Sequence, residues 1–185
     1  MKRVADAMPF FIIILSSILF TGCFGVDRNF SSLKNEILSS TDGNYYKDIE
    51  FSIGPVGLSL AGAIVKLSDD EENAQEILEH ISHVQVGVYK NEYGSGNVGS
   101  FQLLQTIDSQ MKTNGWQYIV RSYNKGDVTG VYIKYSGENR LNEMFVVSLN
   151  RKELTLVEVK GELEKVIETA IREKGMNIHY AVADN

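Results

Sequence analysis

The chain has 185 residues, a formal net charge of −6 and a hydrophobic fraction of 43%. The acidic balance argues against a nucleic-acid partner, which needs a basic stripe, and against anionic lipid headgroups, which attract clusters of lysine and arginine. A single cysteine excludes a disulfide framework, and the length suits one globular domain with one core.

The N-terminal segment has the pattern of a secretory signal. Lys2 and Arg3 precede an almost unbroken apolar run over 9–20, and small residues follow it. This order is typical of a cleaved export signal. The run is too short for a membrane span, which needs about 20 apolar residues.

The only cysteine, Cys23, follows that run directly. The sequence Leu19-Phe20-Thr21-Gly22-Cys23 resembles the lipobox of bacterial lipoproteins, although Leu19 lies one place early and Phe20 stands where that pattern prefers Leu. The resemblance implies that residues 1–22 are removed as a signal peptide and that Cys23 carries a diacylglyceryl group. Two acyl chains hold a protein stably on a membrane. By the enterobacterial pattern, Phe24 in place of Asp implies the outer membrane, facing the periplasm, in a bacterium with two membranes.

The remaining chain divides into three parts. Residues 23–45 are rich in Ser, Asn and Asp and are interpreted as a tether. Within it, three apolar residues at helical spacing predict a short helix: Phe30, Leu33 and Ile37. A globular domain is expected over 46–175 and a C-terminal tail over 176–185.

The periodicity of the domain favours the α+β class. It predicts, in chain order, a strand over 49–53, helices over 56–67 and from Ser68, a strand over 84–88, a helix over 101–111, four strands over 116–123, 128–135, 144–149 and 154–159, and a last helix after Gly161. The expected buried stripe of that last helix is Leu163, Val166, Ile167, Ala170 and Ile171. Because strands follow one another after a helical section, we expect a single antiparallel sheet of about five to six strands with helices packed on one face.

Four segments carry a second resemblance. They are Phe51-Ser52-Ile53-Gly54-Pro55, the strand over 84–89, Asn114-Gly115-Trp116, and the strand over 156–161 with its final Gly161. Over residues 48–172 the chain resembles the exported bacterial proteins of domain of unknown function 4252. The resemblance to that family implies no activity, cofactor or catalytic residue. It implies at most a connection with envelope signalling.

Two features are candidates for chemistry. Gly57-Leu58-Ser59-Leu60-Ala61 nearly matches the nucleophile elbow of hydrolases, so a serine hydrolase-like enzyme using Ser59 is the alternative function. An elbow needs a strand that runs directly into its glycine, whereas Pro55 and Val56 intervene here. His80 and His83 lie three residues apart, but a zinc site needs three or four ligands. We therefore expect neither a metal nor a cofactor.

The tyrosines suggest a binding surface. Tyr118, Tyr123, Tyr132 and Tyr135 fall in one predicted hairpin, and tyrosine is enriched at interfaces because it combines area with a hydrogen-bonding tip. The alternative explanation is that aromatic residues simply favour strands. We expect a non-enzymatic binding or interaction module of the cell envelope, whose partner is an unidentified envelope protein or ligand.

Overall fold

The computed structural model describes residues 25–41, 43–65, 72–92, 101–137 and 140–173. Cys23, the predicted signal peptide and the predicted tail over 176–185 lie outside these ranges.

Six antiparallel strands form one sheet in the order β1-β2-β6-β5-β4-β3. A tight turn joins β3 to β4, and its central residues Lys125 and Gly126 have φ of 49° and 97°, as a two-residue hairpin turn requires. The single sheet and the α+β class predicted from the sequence are confirmed. The strands are β1 (Tyr45–Ile53), β2 (Ile81–Asn91), β3 (Gln117–Asn124), β4 (Asp127–Ser136), β5 (Arg140–Leu149) and β6 (Glu153–Gly161).

Five helices accompany the sheet: α1 (Arg28–Ser39), α2 (Pro55–Val65), α3 (Glu72–His80), α4 (Phe101–Thr113) and α5 (Leu163–Glu173). Within the described ranges, no helix is both long and apolar enough to cross a membrane.

The helices pack on both faces of the sheet, whereas the sequence predicted that they pack on one face only. Tyr132 packs in the main core with α1 and α4, whereas its neighbour Ile133 packs with Leu163 of α5 in a smaller core. Successive side chains of a strand point to opposite faces, so the two cores lie on opposite sides. We call the side under α1 and α4 the front face and the other side the back face.

Helix α1 belongs to the main core. Phe30, Leu33 and Ile37 are all buried there, and the Phe30 ring centroid lies 5.7 Å from that of Phe145. The predicted helical spacing is therefore correct, but residues 28–39 belong to the folded body although the sequence assigned 23–45 to a tether. Polar residues between the three apolar ones lie on the outer side of α1, which explains the misleading composition.

Helix α5 is rotated from its expected orientation. Leu163 is buried as expected, but Ile167 is 45% exposed and Thr169 is buried instead. The Thr169 hydroxyl donates to Glu76 of α3 at 3.1 Å. Contact with α3 on one flank thus shifts the buried side of α5 away from Ile167.

This rotation predicts a contrast between two truncations in α5. Leu163→Ala should lower the free energy of unfolding by about 2–5 kcal/mol, because it leaves a cavity in the smaller core. Ile167→Ala should lower it by no more than about 1 kcal/mol, because almost half of that side chain already contacts water. Urea denaturation of both variants measures the contrast, and equal losses would contradict the described orientation of α5.

Candidate functional site

Strand β3 is an exposed edge of the sheet. It pairs with β4 alone in the strand order, and all eight of its residues are exposed. Four large side chains are 47% to 55% exposed: Tyr118, Ile119, Val120 and Tyr123. An edge strand also presents unpaired N–H and C=O groups, which can pair with another chain. We call these four residues and the edge that carries them the β3 edge surface.

A β-bulge spreads the β3 edge surface over both sides of the sheet. The register shifts between Tyr118 and Val120, which leaves Ile119 as the extra residue. Tyr118 pairs with the front-face residue Tyr132, while Val120 pairs with Val131 on the back face. Apolar side chains therefore flank the edge on either side.

Arg121 fastens β3 to helix α4. Its Nη1 donates to Asp108 Oδ2 at 3.1 Å, and its guanidinium lies 4.4 Å from the centroid of the Tyr118 ring. The same Asp108 accepts a hydrogen bond from the Tyr132 hydroxyl at 2.7 Å. Tyrosine and arginine, together with tryptophan, are the residue types enriched at interface hot spots.

The four predicted tyrosines do not form one surface. Tyr118 and Tyr123 lie on the β3 edge surface, and Tyr135 is exposed on the back face. Tyr132 is only 1% exposed, and burial together with Asp108 raises the pKa of its hydroxyl. Tyr132 therefore does not belong to the interaction surface that the sequence predicted, because its side chain is buried under α4. Ile119 was missed, since local alternation does not reveal which strand forms an edge.

The opposite edge, β1, is better protected against strand pairing. It carries Lys47, Asp48 and Glu50 along its length, and Asp48 pairs with Lys90 at 2.7 Å. Both edge strands contain a β-bulge, so their charges make the difference, because charged residues on an edge strand discourage the addition of a further strand. The only charged side chain on β3 is Arg121, whose charge Asp108 compensates. The β3 edge is thus the more open of the two.

A partly buried polar network lies where α1 begins, and we call it the Asp27 network. Asp27 caps α1 by accepting a hydrogen bond from the Phe30 N–H at 2.8 Å, and its own N–H donates to Gln85 Oε1 at 2.6 Å. Lys160 Nζ lies 2.9 Å from Asp27 Oδ2 and 3.2 Å from Glu158 Oε2. The network connects the first turn of α1 to β2 and β6.

The pKa values of two carboxylates in the Asp27 network are shifted in opposite directions. Burial raises the pKa of Glu158 although Lys160 opposes this, and among the described residues its Oε1 has no hydrogen-bond partner. Burial also acts against ionised Asp27, but the Phe30 N–H and Lys160 outweigh it and hold the pKa of Asp27 below its usual value. Ionised Asp27 therefore stabilises the fold, whereas ionised Glu158 destabilises it.

Ser59, the candidate nucleophile, lies inside helix α2 and not at a strand-to-helix turn. It lines a cleft of about 430 Å³ between α2 and α3. The two described histidines bond elsewhere, His83 to Ser52 at 2.7 Å and His80 to Glu162 at 3.3 Å. No three His, Cys, Asp or Glu side chains of the described ranges gather as metal ligands.

A second cleft of about 1050 Å³ opens where β6 leads into α5. Its lining carries charges of both signs, from Arg140, Lys160, Lys165, Glu79, Glu143, Glu162 and Glu164. Glu162 is within 3.3 Å of His80 and 3.0 Å of Lys165. With these charges interspersed, the cleft does not select a ligand by the sign of its charge.

The Asp27 network predicts how stability changes with pH. Because folding raises the pKa of Glu158, the folded protein holds that proton more tightly than the unfolded chain does, so wild-type stability falls as pH rises through the raised pKa. In the Glu158→Gln variant, an amide that cannot ionise replaces the carboxyl group. We expect the unfolding free energy of this variant, relative to wild type, to increase as pH rises above the usual pKa of a Glu carboxyl, as measured by urea denaturation. Glu168→Gln, on the exposed side of α5, is the matched control and should show no such trend. A difference between Glu158→Gln and wild type that does not change with pH would contradict the raised pKa that burial gives Glu158.

Comparison with known proteins gives one finding. No curated protein and no solved structure matches the chain. A family profile matches residues 45–166, which begins with β1 and ends within α5. The protein belongs to the family described as Domain of unknown function (DUF4252).

Proposed function

We propose that this protein is a non-enzymatic binding module of the cell envelope, exported and anchored to the membrane through a lipid on Cys23. In a bacterium with two membranes, it lies on the outer membrane and faces the periplasm. Its binding site is the β3 edge surface, and its partner is an extended polypeptide segment of an envelope protein. The observation that carries the proposal is the exposure of all eight residues of β3 at the edge of the sheet.

An extended segment suits this edge for two reasons. The unpaired backbone groups of an edge strand supply affinity by pairing with an added strand, and side chains that flank the edge supply specificity. Here Tyr118 flanks the edge on the front and Val120 on the back. A partner strand with alternating apolar residues would contact both.

The first test is photo-cross-linking in living cells. A benzoylphenylalanine at Tyr123 should form an adduct with a partner, whereas one at Gln102, exposed on α4, should not. Ile119→Glu should lower the adduct yield at Tyr123 by about tenfold, equal to roughly 1.4 kcal/mol of binding free energy, because it places a charge on the edge. The exposed Gln102→Glu is the control and should leave the yield unchanged.

Adducts at both positions in equal yield, or a yield that Ile119→Glu does not change, would contradict the proposed site. An adduct of twice the chain mass would identify the added strand as that of a second copy.

The second test addresses the anchor and the absence of catalysis. Metabolic labelling with a palmitate analogue should mark the wild type and not Cys23→Ala. Label in Cys23→Ala would place the lipid elsewhere. The purified protein should not react with a fluorophosphonate probe. A reaction that disappears in Ser59→Ala would instead favour a serine hydrolase.

A further inference from the structure

Helix α2 has an unusual composition for a helix at the protein surface. Ser59 is its only polar side chain, and the helix carries no charge. A helix that is apolar on all sides is normally buried. Leu58 is indeed buried, but Val56 and Leu60 are 70% and 64% exposed.

The exposed residues share one side of α2. Val56, Ser59, Leu60 and Ala63 are exposed and follow the spacing of one helical face, which we call the outer face of α2. The other side is fixed, because α2 packs against α3, β1 and β2. No described residue covers the outer face, and the helix cannot turn to bury it without losing the Leu58 contacts.

Helix α2 begins at the same end of the sheet as α1. A Cβ at Gly54, just before α2, would lie 3.7 Å from the His83 ring. Two residues further along β2, Gln85 accepts the hydrogen bond from the Asp27 N–H. The starts of both helices are thus positioned by neighbouring residues of β2.

The length of chain between Cys23 and α1 limits how far this end can lie from a lipid on Cys23. Three residues lie between Cys23 and Asp27, and the four peptide steps that join the two span at most about 14 Å when fully extended. Because α1 is part of the main core, it cannot unwind to lengthen this connection while the protein remains folded. A lipid on Cys23 would therefore hold the start of α2 close to the membrane.

We propose that the outer face of α2 inserts into the lipid surface beside the lipid on Cys23 and fixes the orientation of the domain on the membrane. This proposal rests on the proposed lipidation of Cys23. The contact is uncharged and, apart from Ser59, apolar, because α2 carries no Lys or Arg, and the chain is acidic overall. It therefore requires neither anionic lipid nor low salt, unlike a basic amphipathic helix.

The experiment uses the full chain, lipidated and processed, in vesicles of neutral phosphatidylcholine. Once Cys23 carries lipid, Leu60→Cys supplies a single thiol for a nitrobenzoxadiazole fluorophore, and Gln102→Cys is the control. Intact mass reports the lipid independently. The fluorophore at position 60 should be blue-shifted and quenched several-fold more by brominated lipid than that at position 102. This difference should persist at high salt, since no charge contact is involved.

Equal quenching at both positions in a chain whose mass shows the lipid would overturn the proposal and leave the anchor intact. A blue shift at position 60 without lipid quenching would also overturn it, because a protein then covers the helix. If the mass shows no lipid on Cys23, the anchor fails. With Cys23 replaced by Ser in that chain, so that position 60 again carries the single thiol, quenching at position 60 would still support insertion of α2, and its absence would contradict insertion.

Discussion

The packing of α1 against the front face of the sheet is the interaction on which the rest of the structure depends. Phe30, Leu33 and Ile37 are buried in the main core, and each such side chain contributes about 1.5–3 kcal/mol of transfer free energy. Asp27 adds an N-cap, typically about 1 kcal/mol. Without α1, front-face residues such as Phe145 would be open to water. The start of the folded body is therefore close to Cys23, and any anchor there holds the domain near the membrane.

The Asp27 network shows that this position of α1 is specific as well as stable. Asp27 meets Gln85 and Lys160 at once, which a helix shifted by one residue could not do. The specificity has an energetic cost, because Glu158 is buried beside Lys160 with one oxygen unpaired among the described residues. A buried ion pair is weak evidence for stability by itself, so the apolar contacts of α1 must supply most of the stabilisation.

The two proposed surfaces lie near opposite edges of the sheet. Helix α2 contacts β1 and β2, whereas β3 is the strand at the far edge. Five strand spacings separate β1 from β3, or about 24 Å at the usual spacing. A domain that rests on a membrane through α2 would thus leave the β3 edge surface free for a protein partner.

Local patterns in the sequence predicted the strands, the α+β class and the helical spacing of Phe30, Leu33 and Ile37. They did not predict which of these elements are buried, because burial depends on contacts between distant segments. The strand order places β3 at an edge, so Ile119 is exposed while its near neighbour across the hairpin, Tyr132, is buried under α4. Helix α1 has the composition of a tether, and only its docking on the sheet shows otherwise. Ile167 follows the apolar stripe of α5, yet contact with α3 leaves it exposed.

Hydrogen exchange of the full chain tests the central claim most directly, because it reports whether α1 is a stable part of the fold. If α1 belongs to the core, its backbone amides between Phe30 and Ile37 should exchange as slowly as those of the central strand β5. Rapid exchange in this helix while β5 stays protected would mean that residues 28–39 are a tether after all. The short connection between Cys23 and the folded body would then be lost.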